Sequence, residues 1–197
     1  MADPDYIDDT GALVEGEAWV ALLSTTVTGS PANVTFTSTN DGQVGDWSQY
    51  LDLFVVYYMR SGASSGGFTY MTLNGDSSSK YNNVYMQSPG TSPSGGVSGV
   101  NEPGAWISRE ILSGDLTNAF ACGLIHFFDI NSGKYKEILS YNANDFGSGT
   151  SSWWATYGNT YRSNAPITTM TIPPYGGTGW AVGSRFDLFG VLPRMAQ

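Results

Sequence analysis

Apolar and polar residues alternate with a period of two along much of the chain, the pattern of strands that bury one face. The clearest run is residues 50–60, where Leu51, Leu53, Val55, Tyr57 and Met59 fall on one side and Asp52 and Arg60 on the other. Residues 33–37 repeat it with Val34 and Phe36. Extended runs at 18–28, 68–73, 80–87, 106–112, 119–130, 135–141, 152–162, 167–172 and 180–191 bring the total to about ten strands, the spacing of an antiparallel sandwich or barrel. No stretch carries a helical period. The breaks carry turn chemistry: Gly29-Ser30-Pro31, Asn74-Gly75-Asp76, Asn131-Ser132-Gly133 and Pro173-Pro174-Tyr175-Gly176-Gly177. Asn-Gly is the sharpest of these, because both residues tolerate positive φ. Residues 88–104 and 142–151, rich in Gly and Ser, read as loops, and the first is long enough to be a contact or tip loop.

Composition agrees with the pattern. The chain has 197 residues, the size of one domain, and 6 Trp, 12 Tyr and 9 Phe accompany abundant Gly, Ser, Thr and Val. The reading is an all-β, jelly-roll-like antiparallel β-sandwich in a single domain, residues 18–197, with an extended N-terminal arm, residues 1–17. Asp3, Asp5, Asp8, Asp9, Glu15 and Glu17 crowd that arm ahead of Trp19, so it is either a solvated terminus or a segment laid on a neighbour. The net charge of -9 repels phosphate and excludes nucleic acid as a partner. No secretory leader and no run of about 18 apolar residues are present, which predicts a chain made in the cytoplasm without a membrane span.

Little in the chain suits catalysis. One cysteine and one histidine cannot complete a triad or a zinc site within a single chain, so no metal and no cofactor are expected. Cys122, inside an apolar run, reads as a buried small hydrophobe, and His126 as a strand residue. A glycoside hydrolase would need two facing carboxylates. Glu102, Glu110, Glu137 and Asp52 are available, but none lies in a pattern that marks a catalytic acid. Asn74-Gly75-Asp76 and Asp129-Ile130-Asn131 could offer oxygens to calcium, yet turn chemistry accounts for both. The expectation is a protein without enzymatic activity. Aromatic residues exceed what one core needs, and Tyr and Trp favour surfaces where a ring is half wet. Trp106, Trp153, Trp154, Tyr157 and Tyr175 are the candidates for interface or binding positions. Trp153 and Trp154, adjacent in a strand, must point to opposite faces.

Three segments resemble one family. They are Ser48-Gln49-Tyr50-Leu51-Asp52-Leu53 running to Tyr58-Met59-Arg60-Ser61, Leu73-Asn74-Gly75-Asp76 followed by Tyr81, and Gly183-Ser184-Arg185-Phe186-Asp187-Leu188-Phe189-Gly190, with residues 167–172 as the penultimate strand. Together they resemble the jelly-roll structural proteins of tailed-bacteriophage virions, found as capsid decoration (cement) subunits and as tail-fibre tips. The resemblance implies a homotrimer on the virion surface, bound to the major capsid protein or another virion protein, with no active-site residues to carry over. A fibre tip would instead hold a host cell-surface glycan. No heptad or repeat precedes the domain, which suits a decoration subunit better.

Overall fold

The computed structural model describes residues 19–64, 66–89, 92–145 and 152–193. The acidic arm, with Asp3, Asp5, Asp8, Asp9, Glu15 and Glu17, lies outside the described residues. Twelve strands follow in order: β1 (Trp19–Thr26), β2 (Val34–Thr37), β3 (Asp52–Met59), β4 (Phe68–Leu73), β5 (Tyr81–Pro89), β6 (Ser94–Glu102), β7 (Ala105–Arg109), β8 (Ala121–Phe127), β9 (Lys136–Asp145), β10 (Ser152–Tyr161), β11 (Thr169–Ile172) and β12 (Arg185–Val191). Two short 3₁₀ turns, Trp47–Gln49 and Tyr175–Gly177, are the other regular elements.

All pairings are antiparallel and make two sheets, one of eight strands ordered β1-β12-β3-β8-β9-β10-β5-β6 and one of four ordered β2-β11-β4-β7. The quartet β1-β12-β3-β8 faces the quartet β2-β11-β4-β7. The chain passes between the two sheets at β1 to β2, β2 to β3, β3 to β4, β4 to β5, β6 to β7, β7 to β8, β10 to β11 and β11 to β12, and with the hairpins β5–β6 and β9–β10 set aside this is the connectivity of a jelly roll. The remaining hairpins, β5–β6 and β9–β10, are insertions. They join side by side beyond β8 and extend the large sheet as a four-stranded wing.

The core fills the space between the quartets. Phe36, Leu53, Val55, Met59, Ile125, Phe127, Met170 and Phe186 are fully buried there. Trp180 joins them edge-on to Phe186, with ring centroids 5.2 Å apart, and its indole N–H donates to the Ile172 carbonyl at 3.1 Å. At one end, the stacked rings of Tyr81 and Tyr161, 4.8 Å apart, close over the Asn74-Gly75 turn. Asn74 and Gly75 adopt φ of 54° and 66°, as their sequence requires. The Asp76 carboxylate then receives Lys80 Nζ at 2.7 Å, the Tyr161 hydroxyl at 3.0 Å, and the Ser78 hydroxyl and amide.

Under the wing the filling changes character. β7 is the edge of the small sheet, so half of its backbone groups have no strand to pair with, and burial makes unpaired groups costly. Side chains from the large sheet take the place of that strand. Asn159 Oδ1 accepts from the Trp106 amide at 3.1 Å while its Nδ2 donates to the Trp106 carbonyl at 3.0 Å. The Tyr57 and Ser140 hydroxyls both donate to the Ile107 carbonyl, and Asn144 Nδ2 donates to that of Arg109 at 2.8 Å. Asn83 reaches the Gly104 carbonyl at 3.1 Å. The inner side of the wing is therefore mixed, with Asn83, Ser140, Asn142, Asn144 and Asn159 buried alongside Tyr81, Ile138, Ala155, Tyr157 and Tyr161.

Four readings from the sequence need correction. Residues 94–102, expected within a loop, form β6, because a Gly- and Ser-rich segment shows no side-chain period yet can complete a backbone ladder with β5. The strand expected at 135–141 runs on to Asp145, since β10 pairs with it to the end. Leu51 precedes β3 and is 38% exposed rather than part of the core. Cys122, expected to be buried, is exposed on the outer side of β8, because Ala121 and Ile125 take the inward positions.

Candidate functional site

The outer face of the large sheet is the least ordinary surface of the molecule. An antiparallel sheet with one free face usually alternates apolar residues inward with polar ones outward. Here the outward positions are apolar across most of the sheet. Strand pairing lines them up in rows. One central row runs Asp187, Val56, Leu124, Tyr141, Thr156 and Met86, each opposite the next on neighbouring strands. The adjacent row runs Phe189, Phe54, His126, Leu139, Gly158, Val84 and Val97. From β3 to β6 charged residues stay at the strand ends, Asp52 and Glu137 at one and Asp145 at the other, while β12 carries the Arg185–Asp187 ion pair beside Val56 and Tyr58.

Aromatic stacking stiffens the β1 side of this face. Trp19 lies on Phe54 with centroids 4.1 Å apart, Phe54 on His126 at 4.0 Å, and His126 against Phe128 at 3.6 Å. These covers explain how Phe54, an outward residue, is only 8% exposed. His126 Nε2 meets Asp52 Oδ2 at 2.8 Å, and Asp52 Oδ1 accepts from the Asp129 amide at 2.8 Å. The histidine is thus a stacked, carboxylate-anchored residue of the sheet surface.

At the other end the face dips into an open groove of about 560 Å³. Its floor is the small pair Cys122 and Ala143, directly opposite each other on β8 and β9. Phe120, stacked on Tyr58 at 4.7 Å, forms one wall and Trp154 the other. Asp145 and Ser152 close the end, whereas the Asn144 side chain turns inward to Arg109. The groove can hold a flat ring between aromatic walls.

The five aromatic candidates divide between surfaces. Trp154 is 45% exposed on the outer face, whereas Trp153 turns to the other side of β10, its ring under the Arg109 guanidinium at 4.3 Å. Trp106 lies in the small sheet, stacked on Phe68 at 4.5 Å and edge-on to Tyr70 at 5.6 Å. Tyr175 is exposed in the second 3₁₀ turn. Tyr157 has to be withdrawn as a contact residue. It points inward from β10 and is fully buried, and that burial pushes its phenol pKa up. Tyr58, Tyr141, Val84, Met86, Val97 and Val100 are not among the sequence candidates, although the apolar run 54–58 signals outward apolar positions.

The carboxylates are dispersed. Asp52 and Glu137 sit on the outer face of the large sheet, while Glu110 is buried behind the small one. Glu110 Oε1 accepts from Thr69 Oγ1 at 2.6 Å and from the Tyr175 amide at 2.5 Å, and burial raises its carboxyl above the ordinary value. Asn74 Oδ1 is taken by the amides of Thr168 and Thr169, and Asn131 Nδ2 donates to the carbonyls of Trp47 and Tyr50, so both Asx turns use their polar atoms internally. No helix among the described residues is long and apolar enough to cross a membrane. No family model, curated protein or solved structure matches this chain.

Proposed function

We propose that the chain is a structural subunit of a bacteriophage virion, most concretely a homotrimeric capsid decoration (cement) protein on the head surface. The observation that carries this reading is the apolar outer face of the large sheet, which a single chain leaves in water. Such a face suits a protein that works by burying area against neighbours. Jelly rolls recur in viral capsid proteins, an argument from fold analogy that only adds to the face itself. In this reading the acidic arm is laid on the major capsid protein and the jelly roll supplies the trimer. Light scattering coupled to size exclusion tests the first step, with a mass near three times the 21.1 kDa chain expected. Pelleting with undecorated capsids tests the second. The full-length protein is expected to co-sediment, and a form lacking residues 1–17 to do so less well. A chain that neither self-associates nor co-sediments removes the proposal.

The groove between Phe120 and Trp154 favours a second reading, a tail-fibre tip that holds a host cell-surface glycan. Aromatic walls suit the C–H face of a sugar ring. The readings compete for one surface, because the groove opens on the face that the trimer would cover. Titration with host-surface polysaccharide, followed by tryptophan fluorescence, separates them: quenching that Trp154→Ala abolishes favours the tip.

A further inference from the structure

We propose that copies of this chain meet through the outer face of the large sheet, with the inserted wing β9-β10-β5-β6 supplying most of the contact. The inference rests on the self-assembling reading above and names the surface that reading needs. Three observations carry it.

The first is an apolar outer side. The inner side of the wing is held by amides and hydroxyls bonded to the backbone of β7, while its outer side presents Tyr141, Trp154, Val84, Met86, Val97 and Val100, each 42–65% exposed. A wing whose outer side faced solvent permanently would carry polar residues there. The second is area. With Trp19, Val56 and Tyr58 added, nine of the fifteen large apolar residues exposed among the described residues lie on this one face. At their degree of exposure they amount to on the order of 800 Å², the area one partner contributes to a stable interface and more than a monomer's largest patch usually reaches. The third is charge. From β3 across the wing the two central rows hold no carboxylate, lysine or arginine; the ionised groups sit at the ends of the strands and on β12, where Asp187, paired with Arg185, stands opposite Val56, so the middle of the face is dry and its surround polar, as in a subunit contact. A face with no central charge offers nothing complementary to a charged partner. Further copies of the same face do match it, one part of the face meeting another around a threefold axis, and contacts between identical subunits are the most apolar kind.

Cys122 lies on this face and is exposed in the single chain, so it reports coverage directly. The test compares the full-length protein with Tyr141→Glu, at the centre of the face, and Met86→Glu, on the wing. Thr35→Glu, exposed on the small sheet, makes the same charge change elsewhere. Each protein is analysed by light scattering, by near-ultraviolet circular dichroism for folding, and by reaction of Cys122 with a chromogenic disulfide reagent. The wild type and Thr35→Glu are expected to associate and to react at least about tenfold more slowly than either face variant, which should remain folded while association weakens about a hundredfold. Two face substitutions keep the test decisive if one fails to fold. An oligomer that persists in folded Tyr141→Glu and Met86→Glu, with Cys122 equally reactive throughout, overturns this interface and leaves the trimer standing on another surface. A dimer abolished by both substitutions supports the face and overturns the trimer. A wild-type monomer at tens of micromolar overturns both.

Discussion

Glu110 shows how one side chain can set a pH dependence. Its carboxyl is buried and its pKa is raised, so the folded chain binds that proton more tightly than the unfolded chain does. The stabilisation is fully present below the free-glutamate value of 4.5 and is lost as pH rises through the folded value. Glu110→Gln keeps an acceptor for Thr69 and the Tyr175 amide and removes the titration. The wild type is therefore expected to lose melting temperature relative to Glu110→Gln as pH rises from about 4 to about 8. A constant difference across that range would show that the carboxyl does not titrate there. Gly75 tests backbone alone. It holds a φ of 66°, and no atom lies within 4 Å of the point where a Cβ would stand. Gly75→Val therefore meets no neighbour and is expected to cost about 1 kcal/mol or more through the left-handed backbone. An unchanged urea midpoint would contradict that. Both residues were visible in the sequence, but only the Asn-Gly pair announced its role. Nothing adjacent to Glu110 foretells that Thr69 and Tyr175, distant in the chain, close over it.

At the scale of the element, the wing depends on β7, and β7 on the wing. Asn159→Ala leaves the amide and carbonyl of Trp106 without their partners in a buried setting, which predicts a loss of about 2 kcal/mol in chemical denaturation. A loss below about 0.5 kcal/mol would mean that water replaces the asparagine. Strands with alternating apolar residues, such as β2 and β3, were legible because period-two burial is written in their own side chains. β6 was not. Its Gly and Ser residues leave no period, and its extended form comes from backbone bonds to β5. Asn159 and Asn144 were equally silent, since their inward role arises only where the small sheet ends and the large one continues.

For the molecule as a whole, the two proposed contacts respond oppositely to salt. Each chain carries a net charge of -9, so copies meeting through an uncharged face repel at long range. Raising salt from about 0.05 to about 0.5 M screens that repulsion and is expected to strengthen self-association. Attachment of the acidic arm to a basic capsid surface is expected to weaken over the same range. Sedimentation velocity for the first and capsid pelleting for the second would check the contrast, and self-association that weakens with salt would point to ion pairs instead of the apolar face.

The sequence by itself determined the all-β class, the single domain, the main turns and the inward residues of the central strands, because these follow from period-two burial and local φ preferences. Tertiary structure decided the rest. The strand that holds Phe54-Val55-Val56-Tyr57-Tyr58 reads as one core face at its odd positions and one mixed face at its even positions, and the mixed face does not say what covers it. Only the placement of the small sheet shows that one face is covered by the core and the other is left open. Cys122 likewise had no face of its own in the sequence, because it stands between small residues. Pairing of β8 with β3 and β9 put it outside, on the floor of the groove, since a strand's side chains take their direction from register, and register is a property of neighbours.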